Sequence, residues 1–111
     1  MIKVTVCQDN TGFLMTGHAR YGKHGRDIVC AAASALAATC VNALESVADA
    51  APLVTVRDGY MKAELPQGLA PERARDAVLI IRVFRQGIQD LCAEYGKHIT
   101  MKIGGETHDT A

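Results

Sequence analysis

The sequence predicts an α+β domain in which two helices pack on a mostly antiparallel sheet, with the element order ββαββαβ. Three observations lead to this class. Short stretches of alternating apolar and polar residues occur as two pairs, and each pair is joined by turn-forming residues. Two longer segments carry apolar residues at helical spacing, and a last alternating stretch follows the second of them. The 111 residues, 49% of them hydrophobic, suffice for one domain with its own core.

The first pair of strands occupies the N-terminal end of the chain. The stretch IKVTVC, residues 2–7, alternates apolar and polar side chains and predicts a half-buried strand. The stretch QDNTG follows and is typical of a turn. The stretch GFLMTGHA, residues 12–19, then predicts the second strand of a hairpin, which ends near His18.

A long helix is predicted after an irregular segment. Residues 20–26, RYGKHGR, contain two glycines and three cations without periodicity, which indicates a mobile surface loop. Asp27 is suited to cap the helix, because its carboxylate can accept N–H groups of the first turn. The helix extends from Ile28 to about Asp49, and its many alanines predict burial over much of its circumference. Its apolar stripe consists of Val29, Ala32, Leu36, Cys40, Ala43, Leu44 and Val47.

The second half of the chain predicts a hairpin over residues 53–65, with Asp58 and Gly59 at its turn. A second helix is predicted from Glu72 to Tyr95, with Pro71 in its first turn. The inner stripe of this helix consists of Ala77, Ile80, Ile81, Phe84, Ile88, Leu91 and Tyr95.

The C-terminal end predicts one more strand. Gly96 is suited to end the second helix, and residues 97–103 alternate as a last strand. The predicted domain therefore covers residues 1–104, and residues 105–111 are predicted to form a flexible tail.

Apolar residues on the second helix extend beyond its inner stripe. Leu79 and Val83 broaden the stripe, which indicates a second apolar face. The chain also carries no net charge, with 12 basic and 12 acidic residues, so charge repulsion does not oppose self-association. We therefore expect a homodimer; the alternative is that this face is covered within the monomer.

Composition argues against several other classes of protein. A zero net charge disfavours direct binding to nucleic acid, which needs an excess of basic residues. No run of 18 apolar residues is present, so we expect no membrane span, and the start MIKVTVCQDN is typical of a strand rather than a signal peptide. We therefore expect a cytoplasmic protein.

The four cysteines are widely spaced, and no CxxC pair occurs. In a reducing compartment they are expected to be thiols. For Cys7, Cys40 and Cys92 the simplest interpretation is a small buried hydrophobe.

Cys30 is the residue around which chemistry can be built. It lies in the first turn of the predicted helix, where unpaired N–H groups and the helix dipole favour the nucleophilic thiolate over the thiol. His18, twelve residues earlier, can fold back across the glycine loop and act as a base. Asp27 is a candidate to orient the imidazole, although this role competes with capping the helix.

The residues alone leave several alternatives open. Cys30 could be buried and His18 exposed, without any chemistry between them. His18, His24 and Cys30 are ligand types that suit zinc, although no tight CxxC or HxxxH pair anchors them. The glycines before the helix would suit a phosphate, but GKHGRD does not match a P-loop. A reactive exposed thiol would also suit a redox sensor, with Cys40 too far along the helix to act as its local partner.

The stretch GHA at residues 17–19, followed by GRDIVCAAASAL at residues 25–36, resembles the ribosomal-processing cysteine protease family, Prp. Thr39 and the stretch NAL at residues 42–44 continue the family pattern, and the length and element order fit nearly the whole chain. The resemblance implies a Cys–His endopeptidase. Its nucleophile would be Cys30, its catalytic histidine His18, and the assisting aspartate Asp27.

The resemblance also implies supporting positions around this pair. Ser34, one helical turn after Cys30, would support the site, and Gly17 and Ala19 flank His18. Residues 19–26 would form a loop that closes over an extended peptide, with Gly22 and Gly25 providing hinge freedom. Backbone N–H groups near the helix start would meet the developing oxyanion.

The resemblance further implies a substrate and a partner, and no cofactor or metal. The substrate would be the N-terminal extension of large-subunit ribosomal protein twenty-seven, removed after a phenylalanine-containing segment during ribosome assembly. The family resemblance also implies a homodimer. The alternative from another class is a non-catalytic ribosome-associated or dimerisation module that kept the fold.

Overall fold

The computed structural model describes residues 1–104 and confirms the predicted class and element order. The predicted tail, residues 105–111, lies outside the described residues. The elements are β1 (Ile2–Val6), β2 (Gly12–Thr16), α1 (Ile28–Ser46), β3 (Leu53–Arg57), β4 (Tyr60–Glu64), α2 (Pro71–Tyr95) and β5 (Ile99–Ile103).

All five strands form one sheet with the order β3-β4-β2-β1-β5. The pairs β3–β4, β4–β2 and β2–β1 are antiparallel, and β1–β5 is parallel, so the sheet is mostly antiparallel as predicted. The parallel pair arises because α2 carries the chain back across the sheet before β5 begins. In the register of the sheet, Thr16 pairs with Tyr60, which brings the turn between β3 and β4 next to the end of β2.

The core lies between one face of the sheet and the two helices. Val4, Val6 and Phe13 of the sheet are completely buried or nearly so. The ring of Phe13 contacts that of Phe84 in α2, with 4.2 Å between the ring centroids. Burying a phenylalanine side chain contributes about 1.5–3 kcal/mol to the free energy of folding. The contact between Phe13 and Phe84 therefore helps to hold α2 on the sheet.

Helix α1 ends earlier than the sequence predicts. Its last residue is Ser46 rather than Asp49. The N–H groups of Val47 and Ala48 both bond to the carbonyl of Ala43, and the second bond spans five residues, so the final turn is wider than an α-helical turn. Asp49 then adopts a left-handed φ of 50°, and the helix cannot continue.

The buried face of α1 also differs from the predicted stripe. Ala32, Leu36 and Ala43 are only half-buried, and Val47 is 72% exposed. Leu36 instead packs against Gly87 of α2, where a β carbon would come within 2.8 Å of its side chain. Along part of the helix, the residues that face the core therefore lie one position after the predicted ones, with Ala33 and Ala37 in place of Ala32 and Leu36. The buried set is Val29, Ala33, Ala37, Cys40 and Leu44.

Burial over much of the circumference of α1 was a wrong expectation, since several of its alanines, such as Ala31, Ala35 and Ala38, are exposed. By length and composition, α1 could also cross a membrane, and it is the one such helix within residues 1–104. One such helix is weak evidence for a membrane span, and Val29, Ala33, Ala37, Cys40 and Leu44 of α1 belong to the hydrophobic core.

Strand β2 ends at Thr16, two residues before His18, rather than at residue 19. Gly17 has a φ of 90°, and its N–H bonds to the carbonyl of Gly59, so the chain turns out of the strand there. A β carbon at Gly17 would lie against the carbonyl oxygen of Met1. His18 consequently lies just beyond the end of β2 rather than within the strand.

The second apolar face predicted on α2 is present and uncovered by the described chain. Leu79 is 49% exposed and Val83 is 72% exposed. Helix α2 itself begins at Pro71 and is capped at its C-terminal end by Gly96, as expected.

Candidate active site

Asp27 fixes the start of α1. It adopts an extended backbone conformation, and its Oδ1 atom accepts the N–H groups of Val29 and Cys30, each at 3.0 Å. Cys30 is thereby held in the first turn of the helix, half-buried, as the capping prediction requires.

The other oxygen of Asp27 holds the loop. Its Oδ2 atom accepts the N–H groups of Tyr21 at 2.8 Å and Gly22 at 3.2 Å. The hydrogen bond from the Cys30 N–H is the largest of several that together lower the pKa of Asp27 to about 2. The carboxylate is therefore ionised at neutral pH, and both of its oxygens are engaged with backbone. No bond joins Asp27 to His18 in the described part of the chain.

The thiol of Cys30 has a close polar neighbour. The backbone N–H of Ala19 donates a hydrogen bond to Cys30 Sγ, with 3.2 Å between nitrogen and sulfur. Ala19 is only 1% exposed, so water does not compete for this N–H. The sulfur is therefore held against a backbone donor at the edge of the loop.

The His18 ring contacts the turn between β3 and β4. Its Nε2 atom is 3.7 Å from Asp58 Oδ2, and the ring lies over Gly59. The His18 side chain is 49% exposed and that of Asp58 92%. Within residues 1–104, no hydrogen bond joins the His18 ring to the Cys30 thiol; the two groups instead border the same cavity.

This cavity has a volume of about 440 Å³ and lies under the loop of residues 20–26. Most of the sequence-predicted site residues border it. They are His18, Gly22, Gly25, Asp27, Cys30 and Ser34. Gly17 borders an adjoining cavity of about 240 Å³, which His18, Cys30 and Ser34 also reach, and Ala19 contributes its N–H to the thiol.

The lining of the adjoining cavity includes more apolar side chains from the sheet. Met15, Val56 and Met61 line it beside Cys30, because β2, β3 and β4 place these side chains on the helix side of the sheet. The thiol therefore borders one cavity that the loop lines and a second that the sheet lines.

Sequence reasoning missed Asp58, which borders both cavities. The Asp-Gly pair was recognised only as a turn. Residues 18 and 58 are distant in sequence, and it is the pairing of Thr16 with Tyr60 that brings them together. No local signal could have identified this neighbour.

The metal and phosphate alternatives receive no support from the geometry. In the part of the chain that the structure describes, no three His, Cys, Asp or Glu side chains are grouped so as to hold a metal ion. At the start of α1, the N–H groups that could bind a phosphate already bond to the negatively charged Asp27 carboxylate.

Cys40 and Cys92 have no comparable setting. No disulfide joins any of the four. Cys40 is buried, and burial raises the pKa of its thiol to about 12. Cys92 is half-buried, and burial raises its pKa as well. Of the four, only Cys30 borders the cavity under the loop.

Comparisons with known proteins identify relatives across nearly the whole chain. The family model described as cysteine protease Prp matches residues 1–100. The ribosomal processing cysteine protease Prp of Bacillus subtilis is 33% identical over 101 residues, covering 86% of this chain and 90% of the relative. The corresponding protein of Staphylococcus aureus strain Mu50 is 30% identical over 91 residues, covering 82% and 84%.

Solved structures give the same result. A crystal structure of a Streptococcus mutans protein superimposes with a TM-score of 0.82 at 34% identity, covering 96% of both chains. The Staphylococcus aureus Prp protease in complex with a covalently linked product peptide has a TM-score of 0.78 at 28% identity, covering 92% of this chain and 96% of that one. A thiol at a capped helix start, a histidine at the same cavity and these matches lead to one conclusion: the chain belongs to the Prp family of cysteine proteases.

Proposed function

We propose that this protein is a cytoplasmic endopeptidase that removes the N-terminal extension of large-subunit ribosomal protein twenty-seven by Cys–His catalysis during ribosome assembly. The observation that carries the proposal is that Cys30 and His18 border one open cavity, with the thiol held at the capped start of α1. A binding module without catalysis would not need this pair.

The relatives support the substrate class. The Bacillus subtilis and Staphylococcus aureus proteins are ribosomal processing proteases, and the Staphylococcus aureus enzyme has been solved with a substrate peptide and with a covalently linked product peptide. We infer that this chain likewise takes an extended peptide. The apolar side chains of Met15, Val56 and Met61, which line the adjoining cavity, suit a substrate with large apolar side chains near the scissile bond.

Catalysis would begin with proton transfer from Cys30 to His18. The thiolate attacks the scissile carbonyl carbon, the carbon–sulfur bond forms, and the π electrons move to the carbonyl oxygen. The intermediate collapses to an acyl-enzyme as His18 protonates the departing amine. Water, activated by His18, then hydrolyses the thioester and regenerates the thiol.

We assign the orienting carboxylate for His18 to Asp58, and a separate role to Asp27. Asp58 approaches the Nε2 atom of His18, which leaves Nδ1 to accept the thiol proton. Both groups are exposed, so the pair contributes little to stability and acts by orienting the ring. Asp27 assists by holding Cys30 in the first turn and by fixing the backbone of Tyr21 and Gly22.

The glycines of the loop and Ser34 complete the proposed site. Gly22 and Gly25 border the cavity, and Gly25 has a φ of 82°, a conformation that other residues adopt only with strain. This freedom would let residues 20–26 close over a bound peptide. Ser34 lies one turn below Cys30 and borders both cavities, where its hydroxyl can contact the peptide.

A homodimer is the proposed assembly. Leu79 and Val83 form an exposed apolar face on α2, and neither residue lines the two cavities at Cys30. Pairing two copies through this face would remove it from water.

The proposed function is tested by cleavage of a peptide that spans the extension and its processing site. Cys30→Ala and Cys30→Ser should fold normally and lose cleavage, because neither side chain supplies a thiolate. Cys92→Ala, which removes another half-buried thiol, is the matched control and should retain activity. Normal cleavage by Cys30→Ala would overturn the assignment of the nucleophile.

The base is tested by alkylation of the thiol. His18→Ala should slow the reaction of Cys30 with iodoacetamide at neutral pH, and an unchanged rate would contradict the Cys–His pairing. If Cys30 is essential but the ribosomal peptide remains uncut, the substrate assignment fails while the catalytic one stands.

A further inference from the structure

His98 immediately precedes β5 and contacts the start of the loop at the candidate site. Its backbone is fixed twice: its N–H bonds to the carbonyl of Tyr95 at 2.8 Å, and its carbonyl accepts the N–H of Ile2 at 2.9 Å. Its ring reaches the loop entry, where Nδ1 is 3.0 Å from the carbonyl oxygen of Ala19. Because the carbonyl can only accept, Nδ1 carries the proton of this hydrogen bond.

Ala19 is therefore held from both sides. Its carbonyl is bound by His98, and its N–H points at Cys30 Sγ at 3.2 Å. The residue is almost completely buried. A buried N–H that is fixed toward the nucleophilic sulfur is a preorganised donor, which costs no rearrangement when charge develops nearby.

Three of the donors expected at the helix start are already engaged. The N–H groups of Val29 and Cys30 bond to Asp27 Oδ1, and the N–H of Ala31 bonds to the Asp27 carbonyl. Turning any of them toward a substrate oxygen would break the cap that positions the nucleophile. The sequence-based expectation that these groups meet the oxyanion thus conflicts with the hydrogen bonds that they make.

The geometry points to the Ala19 N–H as an oxyanion donor and to His98 as the positioning residue that aims it. This inference rests on the proposed function, in which Cys30 is the nucleophile. When the carbon–sulfur bond forms, the carbonyl π electrons move to oxygen, one bond from the carbon attached to Sγ. The Ala19 N–H then passes from the sulfur, whose charge is lost, to the oxygen, which gains it.

Tyr21 supports the His98 ring. It packs edge-on against His98, with 5.1 Å between ring centroids, and edge-on against Tyr95 at 5.3 Å. Its N–H is held by Asp27 Oδ2. The aromatic contacts restrict the ring of His98 to the orientation in which Nδ1 faces Ala19.

The test compares two reagents that react with the same sulfur. A peptide aldehyde forms a thiohemiacetal whose oxygen occupies the oxyanion position, whereas iodoacetamide alkylates the sulfur without forming an oxyanion. The variants are His98→Leu, which loses the donor, and His98→Asn, whose amide can replace Nδ1 as donor. Lys97→Leu, at the exposed neighbouring position, is the matched control.

In His98→Leu we expect aldehyde inhibition to weaken by about tenfold or more, and kcat to fall by a similar factor with KM little changed. His98→Asn should restore most of both, and Lys97→Leu should match the unaltered protein. Alkylation by iodoacetamide should change much less than aldehyde binding. Equal aldehyde affinity in His98→Leu and the unaltered protein would overturn the positioning role.

A second measurement needs no variant. The amide proton resonance of Ala19, followed by NMR, should shift downfield when the peptide aldehyde binds, because its acceptor changes from sulfur to the oxygen of the thiohemiacetal, which accepts a shorter hydrogen bond. An aldehyde adduct on Cys30 that leaves this resonance unchanged would overturn the donor role alone. The absence of any adduct on Cys30 would instead overturn the proposed function.

Discussion

A β carbon on Gly59 would lie 2.8 Å from the Nε2 atom of His18. This is closer than real β carbons approach another atom, so the histidine ring occupies a position that only glycine leaves open. Gly59 also has a φ of 64°, and its carbonyl holds the N–H of Gly17. The turn between β3 and β4 therefore sets the place of the proposed catalytic histidine.

Replacing this glycine should reduce activity through the histidine. We expect Gly59→Ala to displace the His18 ring and to lower kcat for peptide cleavage by at least about tenfold. The left-handed backbone should also cost roughly 1–2 kcal/mol of folding free energy. Steady-state kinetics and urea denaturation measure the two effects.

Gly68→Ala is the control that separates displacement of the His18 ring from strain of the left-handed backbone. Gly68 has a φ of 77°, similar to that of Gly59, but no atom lies within 4 Å of the position that its β carbon would take. This variant should lose a similar amount of stability and keep its kcat. Equal losses of kcat in both variants would show that backbone strain, rather than contact with His18, is responsible.

The carboxylate of Asp27 should make the free energy of unfolding depend on pH in the acidic range. Backbone N–H groups, that of Cys30 foremost, lower its pKa from 3.8 to about 2 in the folded chain. The folded state therefore gains stability above pH 3.8, and this contribution disappears as the pH falls toward 2. The free energy of unfolding, measured against pH, should show a difference between the unaltered protein and Asp27→Asn that shrinks across this window. A difference that stays constant with pH would contradict the assignment.

The four thiols should react at very different rates in the native protein. Cys30 borders the cavity and lies at a helix start, whereas burial raises the pKa of Cys40 to about 12 and that of Cys92 as well. Iodoacetamide at neutral pH should therefore label Cys30 well before Cys40, as mass spectrometry of peptide digests can show. In guanidinium chloride the rates should become similar. Rapid labelling of Cys40 in the folded protein would contradict this order.

Mild peroxide treatment distinguishes the protease from a redox sensor. A redox sensor would form a stable oxidised state that a reductant reverses. In a protease, oxidation of Cys30 would abolish peptide cleavage, and no disulfide with a second cysteine would form. Cys40 is buried and lies ten residues further along α1, so it is not placed to form a disulfide with the oxidised sulfur of Cys30.

Self-association should depend on the exposed face of α2. Val83→Lys places a charge on this face and should raise the dissociation constant of a homodimer by about tenfold or more. Val47→Lys is the matched control, because Val47 is equally exposed, at 72%, but lies at the end of α1. Sedimentation velocity over a range of concentrations measures both. If Val47→Lys disrupts the dimer and Val83→Lys does not, the interface lies elsewhere.

Much of the site was predictable because it is local. The capping of α1 by Asp27 depends on contacts with residues 29 and 30, and it places Cys30 in the first turn without reference to the rest of the fold. The alternating strands and the Asp-Gly turn are also short-range patterns. The resemblance to Prp added the expected partners of Cys30, because it rests on a long motif rather than on a single spacing.

The misplaced features depend on packing between distant segments. Alanines occupy so many positions of α1 that apolar periodicity could not determine which face is buried; the contact of Leu36 with Gly87 decides it. Similarly, β2 ends at Thr16 because Gly17 bonds to Gly59, which belongs to another hairpin. Neither interaction leaves a local trace in the sequence.

The sequence by itself determined the order of the elements, the cap at Asp27 and the place of the thiol, because turns and caps join residues only a few positions apart. Tertiary structure alone decided which groups surround that thiol. Pairing of β2 with β4 brings Asp58 to His18, and the parallel pairing of β5 with β1 brings His98 to Ala19, 79 residues away. Such neighbours follow from strand order and register, which are set by burial across the whole sheet.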